Sequence, residues 1–231
     1  MAKGFLLFLM LLIHANGLAQ DFTVCDDERY LTRRKIAEII KKWPLRRSDS
    51  VTGFVRDLGA SLTKQADVSH KVRWYFNVIK DYSPNAYAMG NGYIYITEGA
   101  IRLCNNEGEL AAILAHEIGH QAANHFCGED QKKQSTGVYG RIKQKIGNIT
   151  QIINIEKEAE ADFFAIQLLE TAGYDPHAML AVAERLPATS GSFSHWGNQQ
   201  RVSLLTDMLK EIPRKAHKYS KKFKQIKKLL H

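Results

Sequence analysis

Residues 107–126, EGELAAILAHEIGHQAANHF, constrain this chain more than any other stretch. Leu110, Ala111, Ala112, Ile113, Leu114, Ala115 and Ile118 form an almost wholly apolar body, and a helix that is apolar all round is normally buried. Inside it stand His116, Glu117 and His120. Positions i and i+4 lie one above the other on a helical face, so both imidazoles can reach a single ion. Glu117 lies about 100° round from His116, beside such an ion rather than bound to it. A general base for a metal-activated water belongs there. A buried polar trio needs partners, and a bound metal supplies them. The five residues alone also fit a hydrogen-bonded pair of core histidines, so the rest of the chain has to decide.

At 231 residues the chain suits one substantial domain, and its 45% hydrophobic and 24% charged content is that of an ordinary globular protein. The net charge of +8 comes with lysines concentrated near the C-terminus. That excess bears on solubility and surface contact, and no DNA- or RNA-binding signature accompanies it. Residues 1–19 read as a secretory signal peptide: Lys3, the apolar run 5–13, then Gly17-Leu18-Ala19. The run is too short to span a bilayer, and no other stretch qualifies. The expected organisation is a signal peptide (1–19), a single domain (20–212) and a basic tail (213–231). The mature protein is expected to be exported and soluble, and periplasmic in a Gram-negative cell. Phe22-Thr23-Val24 lacks the small residues that precede a lipidated cysteine, which argues against an anchor at Cys25. With Cys104 and Cys127 the chain holds three thiols, enough for one disulfide in an oxidising compartment, in any of its pairings.

Along the chain, residues 29–42 place Leu31, Ile36, Ile39 and Ile40 near one stripe of an amphipathic helix closed by Pro44. Ser48-Asp49-Ser50 caps a second helix through Val51, Phe54, Val55, Leu58 and Leu62. Both read as covering helices. Residues 72–79 then turn aromatic and β-branched, as strands are. Residues 85–97 read as a hairpin around Gly90-Asn91-Gly92. Three strands on short links predict a small antiparallel sheet, so the fold class is α+β, mainly helical. The strand Asn85-Ala86-Tyr87-Ala88 is the candidate that would align an extended peptide through main-chain hydrogen bonds. A short helix over 98–103 leads into the histidine helix, and the polar segment 128–150 reads as a surface excursion. Gly173 ends the helix of 155–171, Asp175-Pro176 starts the next, and another follows over 202–209. In the basic tail, Phe223, Ile226 and Leu230 recur at helical intervals, a narrow stripe for docking a solvated helix. Peripheral contact of this tail with an anionic membrane is the minor alternative.

The helix over 155–171 carries Glu158-Ala159-Glu160-Ala161-Asp162 and runs on into Phe163, Phe164, Ala165, Leu168 and Leu169. Glu158 and Asp162 share a face, and the small alanines between the acids permit close backbone approach. A catalytic zinc takes three protein ligands and a water, and Glu158 supplies the third beside His116 and His120. Asp162, one turn on, is placed to hold a ligating imidazole by its other ring nitrogen. Glu160 is the nearest substitute for Glu158.

Together, His116-Glu117-Ile118-Gly119-His120 and Glu158…Asp162 resemble the HExxH…ExxxD signature of metallopeptidase family forty-eight, zincins that include HtpX, Oma-type and CAAX prenyl endopeptidases. The strand pair 85–97 is similar to the family's, and His195 and Arg201 match its C-terminal His-Pro…Arg element in spacing, with Trp196 in place of Pro. A metzincin would need HExxHxxGxxH, whereas Ala123 and Phe126 stand at those places and His125 is off by one. Without membrane spans, the chain is similar to the exported bacterial branch of BepA and LoiP kind. The resemblance implies a zincin-type domain with one Zn2+ per chain, acting on unfolded or misassembled envelope proteins. It implies Glu117 as base and His195 at the oxyanion or at the fourth zinc position of a resting enzyme, with Arg201 steadying that loop. A non-catalytic or latent zinc-containing periplasmic chaperone is the competing class.

Overall fold

The computed structural model describes residues 26–47, 49–65, 72–126, 149–185, 199–216 and 220–230. The signal segment 1–19, Cys25, Cys127, most of the polar excursion and the loop bearing His195 lie outside the described residues. The described elements are α1 (Asp26–Lys42), α2 (Ser50–Gln65), β1 (Tyr75–Ile79), β2 (Ala86–Ala88), β3 (Tyr93–Thr97), α3 (Glu98–Leu103), α4 (Glu107–Ala122), α5 (Ile149–Thr171), α6 (Ala178–Arg185), α7 (Gln199–Leu209) and α8 (Lys221–Lys228). The α+β class holds, with one small sheet beside the histidine helix α4.

That sheet is mixed rather than antiparallel. Its order is β1-β3-β2, and β2 pairs antiparallel with β3 across the glycine turn, Tyr87 opposite Tyr95. β1 runs parallel to β3, Phe76 opposite Ile94. The cause lies in the connection. Residues 80–85 are too long for a tight turn and carry Pro84, so the chain crosses to the far edge before the hairpin returns β3 to the middle. The turn itself needs its glycines: Gly90, Asn91 and Gly92 have φ of +88°, +50° and +76°. A Cβ on Gly92 would stand 2.3 Å from the Arg73 carbonyl oxygen, which only glycine avoids.

The period of two then sorts side chains between two layers. Phe76, Val78, Ala86, Ile94 and Ile96 join the main core against α2 and α4, with Val51, Phe54, Val55, Leu58 and Leu62 packed as their spacing predicts. Ile79, Tyr87 and Tyr95 face the other way and meet Ile39 of α1. The stripe on α1 is narrower than its pattern suggests, since Ile40 is 46% exposed. Yet α1 does more than cover. Buried Glu28 accepts from the Asn91 N–H and, at 2.9 Å, from Gln121 Nε2, while Gln121 Oε1 accepts from the Gly92 N–H at 3.1 Å. This network ties the hairpin turn to α4.

Caps fix the helix starts. Asp49 Oδ1 accepts from the Thr52 N–H at 3.0 Å before α2, and Asn106 Oδ1 from the Glu109 N–H at 3.0 Å before α4. α5 starts at Ile149, six residues before the expected Ile155, because neither Gly nor Pro interrupts 149–155. It ends at Gly173, whose φ is +76°. α8 docks through Phe223, Ile226 and Leu230, all in the main core, with Lys221, Lys222, Lys224 and Lys228 outward and Lys227 donating to the Cys104 carbonyl at 2.6 Å. Cys104 is a free buried thiol donating to the Ala100 carbonyl at 3.2 Å, and burial pushes its pKa well up. No helix among the described residues is long and apolar enough to cross a membrane.

Candidate metal centre

The centre is built at one helix crossing. A Cβ added at Gly119 of α4 would lie 2.4 Å from the carbonyl oxygen of Ala161 on α5, so the two backbones touch there. Ala159 and Ala161 are 3% and 0% exposed, the small residues the acidic run placed between its carboxylates. With the helices this close, side chains one residue or turn away on either side must interleave. Glu158 and Asp162 of α5 thereby reach the imidazoles of α4.

His116, His120 and Glu158 bring ligand atoms within 4.8 Å of one another, all buried. The two Nε2 atoms are 3.0 Å apart, and Glu158 Oε2 and Oε1 lie 3.2 Å and 3.6 Å from those of His116 and His120. Ligands at about 2.0–2.1 Å on tetrahedral corners are roughly 3.3 Å apart, so the spacing fits a zinc-sized ion. Charge points the same way. Among the described residues, the buried carboxyl groups of Glu117, Glu158 and Asp162 outnumber the Arg201 guanidinium set against them, a surplus of acidic oxygens that suits a cation. Glu117 is 0% exposed, on the turn between the two imidazoles.

Each imidazole is held from behind. His116 Nδ1 meets Asp162 Oδ1 at 2.8 Å. Arg201 of α7 grips that carboxylate with both a 2.7 Å bond from Nε to Oδ2 and a second from its terminal nitrogen to Oδ1, and lies 3.7 Å from Glu158. Burial would raise the Asp162 pKa, but Arg201 and then His116 outweigh it and hold it down to about 2. For His116, burial and Arg201 push downward, and Asp162 and Glu158 outweigh them, so its proton affinity is raised. The pocket favours positive charge. On the other side, His120 Nδ1 lies 2.8 Å from His125 Nδ1, and His125 Nε2 lies 3.3 Å from Glu160 Oε2.

The structure therefore brings His116, Glu117, His120, Glu158, Asp162 and Arg201 into one buried cluster. Glu158 rather than Glu160 joins the imidazoles, and Glu160 turns to His125. Arg201, which the family resemblance assigns to the loop of His195, is 2% exposed and bound to Asp162; His195 itself lies outside the described residues. Of the candidate peptide-aligning strand, Ala86 and Tyr87 are buried, so their side chains serve the two cores. β2 nevertheless borders the sheet and packs on α4. The pairings of Asn85 with Thr97 and of Met89 with Tyr93 turn the main-chain groups of Ala86 and Ala88 away from β3, the Ala86 N–H onto Asn85 Oδ1 at 2.9 Å.

Sequence reasoning passed over Gly119 and gave His125 no role. A signal for the second exists: Asn124 is the kind of residue that closes a helix in the left-handed conformation, and its successor in the chain folds back on the last turn.

Comparison with known proteins places the histidine helix α4 within a family match. Residues 51–136 match the model described as Peptidase family M48. The mitochondrial metalloendopeptidase OMA1 of Schizosaccharomyces pombe is 27% identical over 161 residues, covering 61% of this chain and 48% of its own length. The beta-barrel assembly-enhancing protease of Escherichia coli is 28% identical over 170 residues, covering 62% of this chain and 34% of its own. The OMA1 of Saccharomyces cerevisiae is 26% identical over 129 residues, covering 50% of this chain and 37% of its own. The chain thus spans about half the length of these relatives or less.

Proposed function

We propose, from the match of residues 51–136 to the model described as Peptidase family M48, that the chain is a zinc-dependent endopeptidase that cleaves unfolded or misassembled envelope proteins. The observation that carries the reading is the convergence of His116, His120 and Glu158 beside Glu117 in a buried, anionic pocket. His116 and His120 would hold the zinc through Nε2 and Glu158 through its carboxylate. Bound there, zinc polarises the scissile carbonyl and lowers the pKa of water toward neutrality.

The chain's own residues do the rest. Glu117 takes a proton from the attacking water and delivers it to the leaving amine nitrogen. In this reading His116 carries its proton on Nδ1 and donates it to Asp162 Oδ1, 2.8 Å away, with Arg201 Nη2 standing 2.9 Å from the same nitrogen, and Nε2 offers its lone pair to the metal. Arg201 keeps Asp162 ionised. His195 would donate to the developing oxyanion, or would serve as a further ligand to the zinc in the resting enzyme. The outer edge of β2 aligns substrate in extended form through its main chain, which suits unfolded chains over one specific sequence. The proposed site of action is outside the cytoplasm, supported by the signal-like residues 1–19 and by the β-barrel assembly role in the name of the Escherichia coli relative.

Glu117→Gln tests the reading. The variant should keep one zinc per chain, measured by elemental analysis, and cleave casein about 10²–10⁴-fold more slowly. Undiminished turnover removes Glu117 from the mechanism. Zinc-loaded wild type without proteolysis favours a non-catalytic assembly role instead.

A further inference from the structure

We infer that His125 and Glu160 form the positioning pair of His120, a counterpart to Asp162 and Arg201 behind His116; this rests on the reading of His116, His120 and Glu158 as metal ligands. The local backbone puts His125 there. Asn124 has φ +54°, the Asn124 N–H donates to the Gln121 carbonyl at 3.1 Å, and the His125 N–H donates to the His120 carbonyl at 3.1 Å. That is the Schellman closure of α4, with Asn124 as its left-handed residue and His125 as the residue that returns over the last turn. This motif usually pairs two apolar side chains, the returning residue and the one five before it. Here those two positions are His125 and His120, and the contact is between ring nitrogens 2.8 Å apart.

A hydrogen bond between two imidazole nitrogens holds one proton, and the surroundings choose its place. For His120 Nε2 to present a lone pair to a metal, the neutral ring keeps its proton on Nδ1 and donates it to His125 Nδ1. His125 then carries its own proton on Nε2, where Glu160 Oε2 accepts at 3.3 Å. The reverse order would place the His120 proton inside the metal pocket and aim a lone pair of His125 at a carboxylate oxygen. Only the first order lets Glu160 accept from His125 while His120 Nε2 keeps its lone pair for the metal. The side chains of His125 and Glu160 are 4% and 12% exposed, so water competes little with either bond. Glu160 fixes the tautomer of His125, which fixes that of His120 and the orientation of its ring.

The experiment measures zinc affinity by competition with a chromophoric chelator, and the visible spectrum of the cobalt(II)-loaded protein, for wild type, His125→Leu, His125→Asn and Glu160→Ala. His125→Leu keeps bulk but loses the acceptor, and should weaken zinc binding about 10–100-fold and alter the cobalt spectrum. His125→Asn places a carbonyl oxygen where Nδ1 stood, and should recover most of the affinity and the wild-type spectrum. Glu160→Ala, on another helix, should weaken binding less than His125→Leu. Equal affinities for wild type and His125→Leu overturn the inference, as does equal weakening of the Leu and Asn variants with unchanged metal-free melting. Should His125→Leu not fold, wild-type affinity in Glu160→Ala overturns it. Wild type that binds no zinc fails the metal reading itself, a separate result.

Discussion

The two imidazoles stand one turn apart on the same helix, yet opposite kinds of chemistry hold them. Behind His116 is a charged pair, Asp162 and Arg201, each at most 2% exposed and drawn from two other helices. Behind His120 is a neutral ring five residues on in the chain, backed by a carboxylate nearer solvent. One support is assembled by the tertiary fold and is costly to break. The other is built into the end of its own helix, and most of its effect falls on the metal rather than on folding. A buried charge left alone cannot be rehydrated, whereas a lost neutral hydrogen bond costs little beyond itself.

The sharpest way to break this contrast is Arg201→Met. It removes the guanidinium partner of a fully buried carboxylate, and should destabilise the metal-free protein by about 3–5 kcal/mol in urea unfolding. His125→Leu, measured alongside in the metal-free protein, should cost about 1 kcal/mol. Similar costs for the two would show that the supports are energetically alike.

Gly119→Ala acts on what the two sides share. Its methyl group would meet the Ala161 carbonyl oxygen at 2.4 Å, and backbone cannot swing aside as a side chain can. The helices must separate, at about 1–3 kcal/mol, and Glu158 draws back from both imidazoles. Zinc stoichiometry should fall together with the melting temperature. Wild-type zinc binding in this variant would show that the crossing does not set the ligand spacing.

The same contrast explains what was legible in the sequence. His116, Glu117 and His120 could be read because their spacing is a property of one helix, and Glu158 and Asp162 for the same reason on another. The alanines between the acids hinted that the two helices meet closely; that Gly119 is the point of contact depends on the partner's backbone. The direction of β1 was missed because strand pairing is non-local, and Pro84 only forbids the tight turn. Glu28 was hidden as a single acid in a basic stripe, although its partners are the hairpin turn and Gln121. Arg201 sits in the first turn of an ordinary amphipathic helix, where nothing local marks it for Asp162. His125 lay in plain view, but its partner is defined by a left-handed asparagine rather than by helical spacing.

Acid tests the charged side directly. Asp162 has a folded-state pKa of about 2, against an ordinary value of 3.8, because Arg201 and then His116 overcome the effect of burial. A carboxyl group with a lowered folded-state pKa stabilises the fold above its unfolded value, and that contribution disappears as pH falls through the folded one. The window runs from about pH 4 down to about pH 2, and the amount is on the order of 2 kcal/mol. Asp162→Asn cannot titrate. In EDTA, the stability gap between wild type and this variant should therefore shrink by that amount between pH 5 and pH 2, while His125→Leu keeps the wild-type slope over the same range. Parallel curves for wild type and Asp162→Asn would mean that the ionised carboxylate is not what sets the support of His116 apart from that of His120.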